Sequence, residues 1–161
     1  MKRSSLLPLT VLWSATLALA AQSNPIVGTW TLTAADKLLP NGTRTSDFGD
    51  NPHGIVIFTP DGHYTVEIYR ADRAKFSSGD RFQGTPEEYK EAFLGMSVHF
   101  GRYTVDPDKH TIRFLIDRAS FPNWDEATQV RSYELNNDEL SWKVPPRPDG
   151  SVPITVLRRV R

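Results

Sequence analysis

Arg131 and Tyr133 lie two residues apart in a segment that alternates between polar and apolar side chains. In a β-strand, residues at this spacing point to the same side. A guanidinium group matches a carboxylate in shape and charge, and a phenol hydroxyl can add a further hydrogen bond. We therefore predict that both side chains face the protein interior and bind the acidic head of an otherwise apolar ligand. The alternative is that Arg131 is solvated, or is paired with Glu134 or Asp117.

His99 and Tyr103 share one side of another predicted strand, and Arg113 lies on the strand that follows. An imidazole titrates near neutral pH, so His99 could exchange a proton with a ligand as well as hydrogen-bond to it. We expect these three residues to contribute to a ligand pocket, although a histidine with purely structural hydrogen bonds would give the same pattern. Trp124 lies in a Pro-Asn-Trp loop, where its ring would cover either the mouth of the pocket or the edge of the core.

The histidines do not have the spacing of a metal site. No two of them lie two or four residues apart, and no acidic cluster accompanies them. They are His53, His63, His99 and His110. The chain also lacks a glycine-rich phosphate loop and a Gly-x-Ser-x-Gly nucleophile elbow. We predict no metal, no cofactor and no assignable catalytic residue.

The nineteen basic residues balance the nineteen acidic residues. Without a basic excess, the chain has little affinity to gain from releasing the counterions of a phosphate backbone, so nucleic acid is not expected as a partner. The chain has no cysteine, which excludes disulfides and the lipid-modified cysteine that tethers bacterial lipoproteins. We therefore expect a domain that is stabilised by its hydrophobic core alone.

Residues 1–21 have the pattern of an export signal. Lys2 and Arg3 precede an apolar stretch over residues 6–20, and Ala18-Leu19-Ala20 has the small-x-small pattern that signal peptidase cleaves. The stretch is short for a membrane span, although an anchor or a buried N-terminal helix is the alternative. We predict a signal peptide over residues 1–21 and a single mature domain over residues 22–161. That domain would be periplasmic or secreted, with no stable membrane anchor after cleavage.

Short alternating segments separated by turn residues indicate an all-β domain. The predicted strands cover residues 26–35, 53–59, 63–70, 97–105, 111–117, 128–135, 139–144 and 154–160. Thr85, Pro86 and Glu88 form a capping box that predicts one helix over residues 86–95. Eight antiparallel strands with mostly short links predict a closed up-and-down β-barrel, which has room for one small ligand.

Gly28-Thr29-Trp30, at the start of the first predicted strand, is similar to the Gly-x-Trp signature of lipocalins. Four later segments extend the similarity over nearly all of the mature domain; they cover residues 54–62, 100–106, 121–124 and 129–135. Together these segments resemble the lipocalin-like domain family of bacteria and fungi. The resemblance implies a calycin-type barrel with an interior pocket.

The same resemblance implies that Trp30 closes one end of the barrel beneath an arginine of the last strand. Arg158 and Arg159 both lie in that strand. Arg158 shares strand parity with Ile154 and Val156, so we expect Arg158 to be the residue over Trp30, with Gly28 as the third residue of the closure.

Three functions are compatible with these features. The favoured one is an exported binding protein for a small lipophilic molecule, which the Arg131 hypothesis above would make an acid. An isomerase or cyclase would instead use His99, Tyr103 or Arg113 for proton transfer, and would show a buried polar cluster with a displaced histidine pKa. A protein-interaction or inhibitor module would act through the loops at the open end, and would have a filled barrel with an apolar patch on its rim.

Overall fold

The computed structural model describes residues 24–161, so the predicted signal peptide lies outside the described residues. The described part contains nine strands, one α-helix and one 3-10 helix at Pro122–Trp124. The helix is α1 (Pro86–Leu94). The strands are β1 (Gly28–Leu38), β2 (Arg44–Ser46), β3 (His53–Phe58), β4 (His63–Tyr69), β5 (Met96–Asp106), β6 (Thr111–Ala119), β7 (Thr128–Asn136), β8 (Glu139–Lys143) and β9 (Val152–Arg159).

Eight of these strands form a closed antiparallel barrel. Each strand from β3 to β9 pairs with its neighbour in sequence, and β1 pairs with both β3 and β9. The closure leaves no free edge among these eight strands, and it confirms the predicted eight-stranded barrel. β2 was not predicted: it pairs only with the end of β1, where Asp36–Leu38 of β1 face Arg44–Ser46.

The two ends of the barrel differ in the length of their connections. At one end, tight turns join β3 to β4, β5 to β6 and β7 to β8, and the segment before β1 lies across the opening. The Thr59-Pro60-Asp61-Gly62 turn is of this kind, with the Thr59 amide donating to the His63 carbonyl at 2.9 Å. At the other end, the connections over residues 39–52, 70–95, 120–127 and 144–151 are long. We call these the closed end and the open end.

Helix α1 lies outside the barrel. The Thr85 hydroxyl accepts from the Glu88 amide, and the Glu88 carboxylate accepts from the Thr85 amide, which is the predicted capping box. No residue of α1 is buried. The helix therefore does not plug the interior. Within residues 24–161, no helix is long and apolar enough to cross a membrane.

Aromatic side chains fill the half of the barrel nearest the closed end. The Phe58 ring packs against Tyr103 with 4.8 Å between centroids, and Tyr64 packs against Phe114 at the same distance. Trp142 contacts both Phe58 and Phe114 from the opposite wall, with centroids 6.4 and 5.9 Å away. Edge-to-face packing of this kind adds to the free energy gained by burying the rings. The closed half of the barrel is therefore filled by packed side chains.

Trp30 is fully buried at the closed end, and its indole nitrogen donates to the Ile26 carbonyl at 2.8 Å. The arginine over its ring is Arg159, whose guanidinium carbon lies 4.1 Å from the ring centroid. Our choice of Arg158 was wrong, because Arg158 is exposed on the outer wall. The inward residues of β9 are Thr155 and Leu157, which share parity with Arg159.

Gly28 contributes to this closure through its backbone. It has φ of +133°, and a Cβ at this position would lie 3.0 Å from Nη1 of Arg159. A residue with a side chain would therefore be strained and would crowd the guanidinium group. The Gly-x-Trp pattern is explained by the space that Arg159 occupies.

Candidate ligand-binding site

A cavity of about 500 Å³ occupies the open half of the barrel. Residues from the inward faces of the strands form its walls, and residues from three of the open-end connections form its mouth. The lining is Ala35, Asp36, Asp47, Phe48, Val66, Ile68, Ser97, His99, Phe121, Trp124, Gln129, Arg131, Val144, Pro145, Pro146, Arg147, Pro148, Pro153, Ile154 and Thr155. Apolar side chains and prolines predominate, and the polar groups fall into two sets, one deep and one at the rim.

Small inward residues leave this space. Ala35, Ser97 and Thr155 line the cavity, and their short side chains leave space of the kind that aromatic rings fill in the closed half. Ala35 faces inward because β1 has an irregular register between Leu32 and Ala34, which shifts the alternation of its side chains by one residue. The barrel is therefore packed at one end and hollow at the other.

Arg131 forms the floor of the cavity. Its side chain is buried, with a relative exposure of 4%, and its guanidinium carbon lies 4.5 Å from the centroid of Phe114 and 5.8 Å from that of Trp142. The guanidinium group thus rests on the aromatic layer that fills the closed half. Each such contact contributes about 0.5–2 kcal/mol, which offsets only part of the cost of burying a cation.

The hydrogen bonds of Arg131 to described residues both start from Nη2. One goes to Oε1 of Gln129 at 2.8 Å and the other to Nε2 of His99 at 3.2 Å. Nε is buried without a partner among residues 24–161. No carboxylate within residues 24–161 forms an ion pair with this guanidinium. Burial lowers the pKa of Arg131 to about 10, so the group remains charged at neutral pH.

His99 lies beside Arg131 and is neutral. Burial, together with the adjacent positive charge of Arg131, holds the pKa of His99 well below its ordinary value of 6.5. Because a guanidinium group can only donate, Nε2 of His99 must be the accepting nitrogen. The proton is consequently on Nδ1, which donates to the Tyr64 hydroxyl at 2.9 Å. This network supplies no negative charge to the floor.

Trp124 and Phe121 form one side of the mouth. Trp124 ends the 3-10 helix that follows β6, and its ring packs edge-to-face against His99 with centroids 6.0 Å apart. Phe121 packs against the other side of Trp124 at 5.7 Å and is 42% exposed. Trp124 therefore lines the mouth of the cavity and also packs against the core, so both predicted positions apply.

The rim carries charges that are already paired. Asp47 accepts two hydrogen bonds from Arg147, at 3.0 and 2.5 Å, and lies 3.3 Å from Nζ of Lys37. Arg147 belongs to the proline-rich strap, which we define as residues 144–151. The pair therefore fastens the strap to the connection between β2 and β3. Asp36, the other acid of the lining, pairs with Arg44 at 2.7 Å.

Only part of the predicted site comes together. His99, Trp124 and Arg131 meet in the cavity. Tyr103 and Tyr133 face inward as predicted, but neither lines the cavity, and Tyr103 instead donates to the Thr59 carbonyl at 2.9 Å in the closed half.

Arg113 was placed wrongly, because it is exposed on the outer wall. Of the three alternative proton-transfer residues, only His99 therefore lines the cavity. The alternative partners of Arg131 are also ruled out: Glu134 and Asp117 are both exposed on the outer face. Tyr64 and Gln129, which complete the polar network, were not among the predicted site residues; Gln129 could have been added by its parity with Arg131.

The described residues hold no group of three or more histidines or acids that could bind a metal ion. The rim acids Asp36 and Asp47 are each committed to basic partners. The cavity itself has mostly apolar walls and one deep cation, Arg131.

Comparison with known proteins places this chain in a family. A family model described as a lipocalin-like domain matches residues 27–158. Similar solved structures include a lipocalin-like protein from Bacteroides uniformis, with 14% identity over 83% of this chain and 97% of that one and a TM-score of 0.43. An uncharacterized protein from Bacteroides eggerthii has 15% identity over 83% and 98%, with a TM-score of 0.42. A mutant of the fluorescent protein UnaG has 18% identity over 84% and 96%, with a TM-score of 0.39. No curated protein matches the chain.

Proposed function

The chain belongs to the lipocalin-like domain family, and from this premise we propose that it is a binding protein that holds one small, largely apolar molecule inside its barrel. The observation that carries the proposal is the cavity of about 500 Å³ in the open half. Its volume lies within the range of small-molecule sites, which are mostly apolar with a few well-placed polar groups. The deep pair of Arg131 and His99 is such a set.

The distribution of packing supports binding over the other two functions. An interaction module was expected to have a filled barrel, whereas only the closed half is filled here. Proton-transfer catalysis was expected to use His99, Tyr103 or Arg113 and to show a buried polar cluster with a displaced histidine pKa. The cluster around His99 has that second feature, but Tyr103 lies in the closed half and Arg113 on the outer wall, so neither can assist His99. Apolar walls favour a ligand through the burial of its apolar surface, at about 25 cal/mol for each Å² removed from water.

We also propose that the protein is exported. The support is the sequence alone: Lys2 and Arg3, the apolar residues 6–20 and the Ala18-Leu19-Ala20 cleavage pattern. N-terminal sequencing of protein recovered from the periplasm or the medium should begin at or near Gln22. Full-length protein that stays in the cytoplasm would overturn this part of the proposal.

Native mass spectrometry of freshly purified protein tests the binding function directly. We expect a species heavier than the chain by the mass of one small molecule, which is lost on denaturation. The apolar dye N-phenyl-1-naphthylamine, which is uncharged at neutral pH, provides an independent measurement, because its fluorescence rises when it enters an apolar site.

A matched pair of tryptophan substitutions shows whether the dye is in the cavity. Ser97→Trp places a large ring in the cavity lining, and Thr104→Trp places the same ring on the outer face of the same strand, β5. We expect the first to weaken dye binding at least tenfold and the second less than twofold. Equal affinities for the two variants, or no binding of any small molecule to the parent chain, would refute the proposed function.

A further inference from the structure

We propose that the molecule held in the cavity is a monoanionic carboxylic acid, whose carboxylate contacts Arg131 at the floor while its apolar body extends toward the mouth. This inference rests on the proposed function and adds to it the chemical class and the orientation of the ligand.

The first step is the balance of charge around the cavity. Of the charged side chains that line it, Asp47 is paired with Arg147 and Asp36 with Arg44 outside the lining. His99 is neutral, so it neither adds to nor cancels the charge of the floor. The single positive charge of Arg131 is the one that lacks a counterion within the described residues.

The second step is the set of unused donors. A guanidinium group has five N–H groups, and the two on Nη2 are occupied by Gln129 and His99. Nε is buried and has no partner in the described part of the chain. Contacts with the Phe114 and Trp142 rings offset part of the cost of burying the cation, but they satisfy none of these donors. A buried charge without a counterion, at a side chain that lines the cavity, indicates a site for an anion.

The third step is the charge of the ligand head. One unpaired cation balances one negative charge, so a phosphate monoester, which carries nearly two, would leave a buried excess. A carboxylate carries one charge and fits the planar guanidinium fork. A carboxylate head therefore fits this site better than a phosphate monoester does.

The fourth step is the orientation. Arg131 is 4% exposed, whereas Phe121 at the mouth is 42% exposed, so the charged end of the ligand must lie deepest. Between these two levels the walls are apolar, with Phe48, Val66 and Ile68 among the lining side chains. An acid bound head-inward pairs its charge with a cation that folding has already removed from water, and its body replaces water along the walls.

The test compares two ligands with the same body. Decanoate and 1-decanol are titrated separately into the protein at pH 8 by isothermal calorimetry. A charge-assisted hydrogen bond contributes about 1.5–3 kcal/mol, so we expect decanoate to bind roughly tenfold to a hundredfold more tightly than 1-decanol. In Arg131→Met, which keeps the length of the stem, the two affinities should agree within threefold while 1-decanol still binds. Arg113→Met removes an arginine of the outer wall and should keep the full preference.

The outcomes separate the inference from the proposed function. If both ligands bind the parent chain equally, or if Arg131→Met keeps the preference for decanoate, the contact between the carboxylate and Arg131 is refuted while the cavity remains a binding site. If neither ligand binds, the proposed function fails as well. A measurement on the unmutated protein covers the case in which Arg131→Met does not fold. The ¹³C chemical shift of carboxyl-labelled decanoate should show that the bound carboxyl group stays ionised at pH values below the pKa of the free acid. A bound carboxyl group that titrates like the free acid would refute its contact with Arg131.

Discussion

The guanidinium carbon of Arg159 lies 4.1 Å from the centroid of the Trp30 ring, at the end of the barrel opposite the cavity. The same group donates from Nη1 to the Val27 carbonyl at 2.8 Å and from Nη2 to the Pro25 carbonyl at 2.5 Å. It thereby holds the segment before β1 across the closed end, while Trp30 donates to Ile26 of the same segment. One side chain of the last strand fastens the first part of the described chain.

Replacing Arg159 with methionine should lower the free energy of unfolding by about 1–3 kcal/mol, because the change removes two hydrogen bonds and the contact with Trp30. Arg158→Met is the matched control, since Arg158 is exposed on the outer wall, and it should change the free energy by less than about 0.5 kcal/mol. Urea denaturation followed by circular dichroism measures both. Equal effects of the two substitutions would contradict the assignment of Arg159 to the closure.

The choice between these two arginines shows what the sequence could not provide. In β9, apolar or β-branched side chains occupy both faces: Val156 shares parity with the exposed Arg158, and Thr155 and Leu157 lie inside. Alternation tells which residues share a face but not which face is inward when both are apolar. Turn and capping residues were more informative, because proline, glycine and a capping box restrict the backbone itself. They located the β3–β4 turn and α1 closely.

For the candidate site, the sequence predicted which residues face inward but not how deep they lie. Parity correctly grouped His99 with Tyr103 and Arg131 with Tyr133 on inward faces. It could not say how far along the barrel axis each residue lies, so the two tyrosines belong to the packed half and miss the cavity. Pairing between distant strands sets that depth, and the irregular register in β1 that turns Ala35 inward has no marker in the sequence.

Stability should depend on pH through His99. Burial and the charge of Arg131 hold its pKa well below 6.5 in the folded protein, so the unfolded chain binds an extra proton as the pH falls below about 6.5. The folded state is then disfavoured, by up to about 1.4 kcal/mol for each pH unit until the folded pKa is reached. Relative to His99→Gln, the free energy of unfolding should fall by about 1.4 kcal/mol between pH 7.5 and 5.5. Urea titrations at both pH values measure it, and identical pH dependence of the two proteins would contradict the buried neutral state.

The pair of Asp47 and Arg147 should control how fast a ligand leaves. Asp47→Asn weakens the link between the strap and the connection that follows β2. We expect dye release to become roughly threefold to tenfold faster, because interface changes of this size act mainly on dissociation. Stopped-flow displacement of N-phenyl-1-naphthylamine measures the rate. Asp106→Asn, which breaks a pair with Lys109 at the closed end, is the control and should leave the rate unchanged; if it accelerates release equally, the strap has no special role.

Gln129 offers a way to supply the missing counterion from the protein itself. Its Oε1 already accepts from Nη2 of Arg131 at 2.8 Å, so Gln129→Glu places a carboxylate of nearly the same shape at that position. The guanidinium group is already buried, and we expect the added charge to raise the free energy of unfolding by about 1–2 kcal/mol. The same change should weaken decanoate binding at least tenfold, because the internal carboxylate competes with that of the ligand, and should leave 1-decanol binding unaffected.

Gln129→Met separates charge from simple loss of the amide. It removes the acceptor without adding a counterion, so one N–H of Arg131 loses its partner and the fold should be destabilised by about 1–3 kcal/mol. The preference for decanoate over 1-decanol should nevertheless persist, because the charge of Arg131 is still unpaired. Stability and acid affinity must therefore move in opposite directions in Gln129→Glu. If that substitution destabilises the protein and leaves decanoate binding intact, Arg131 is not the group that determines the charge of the ligand.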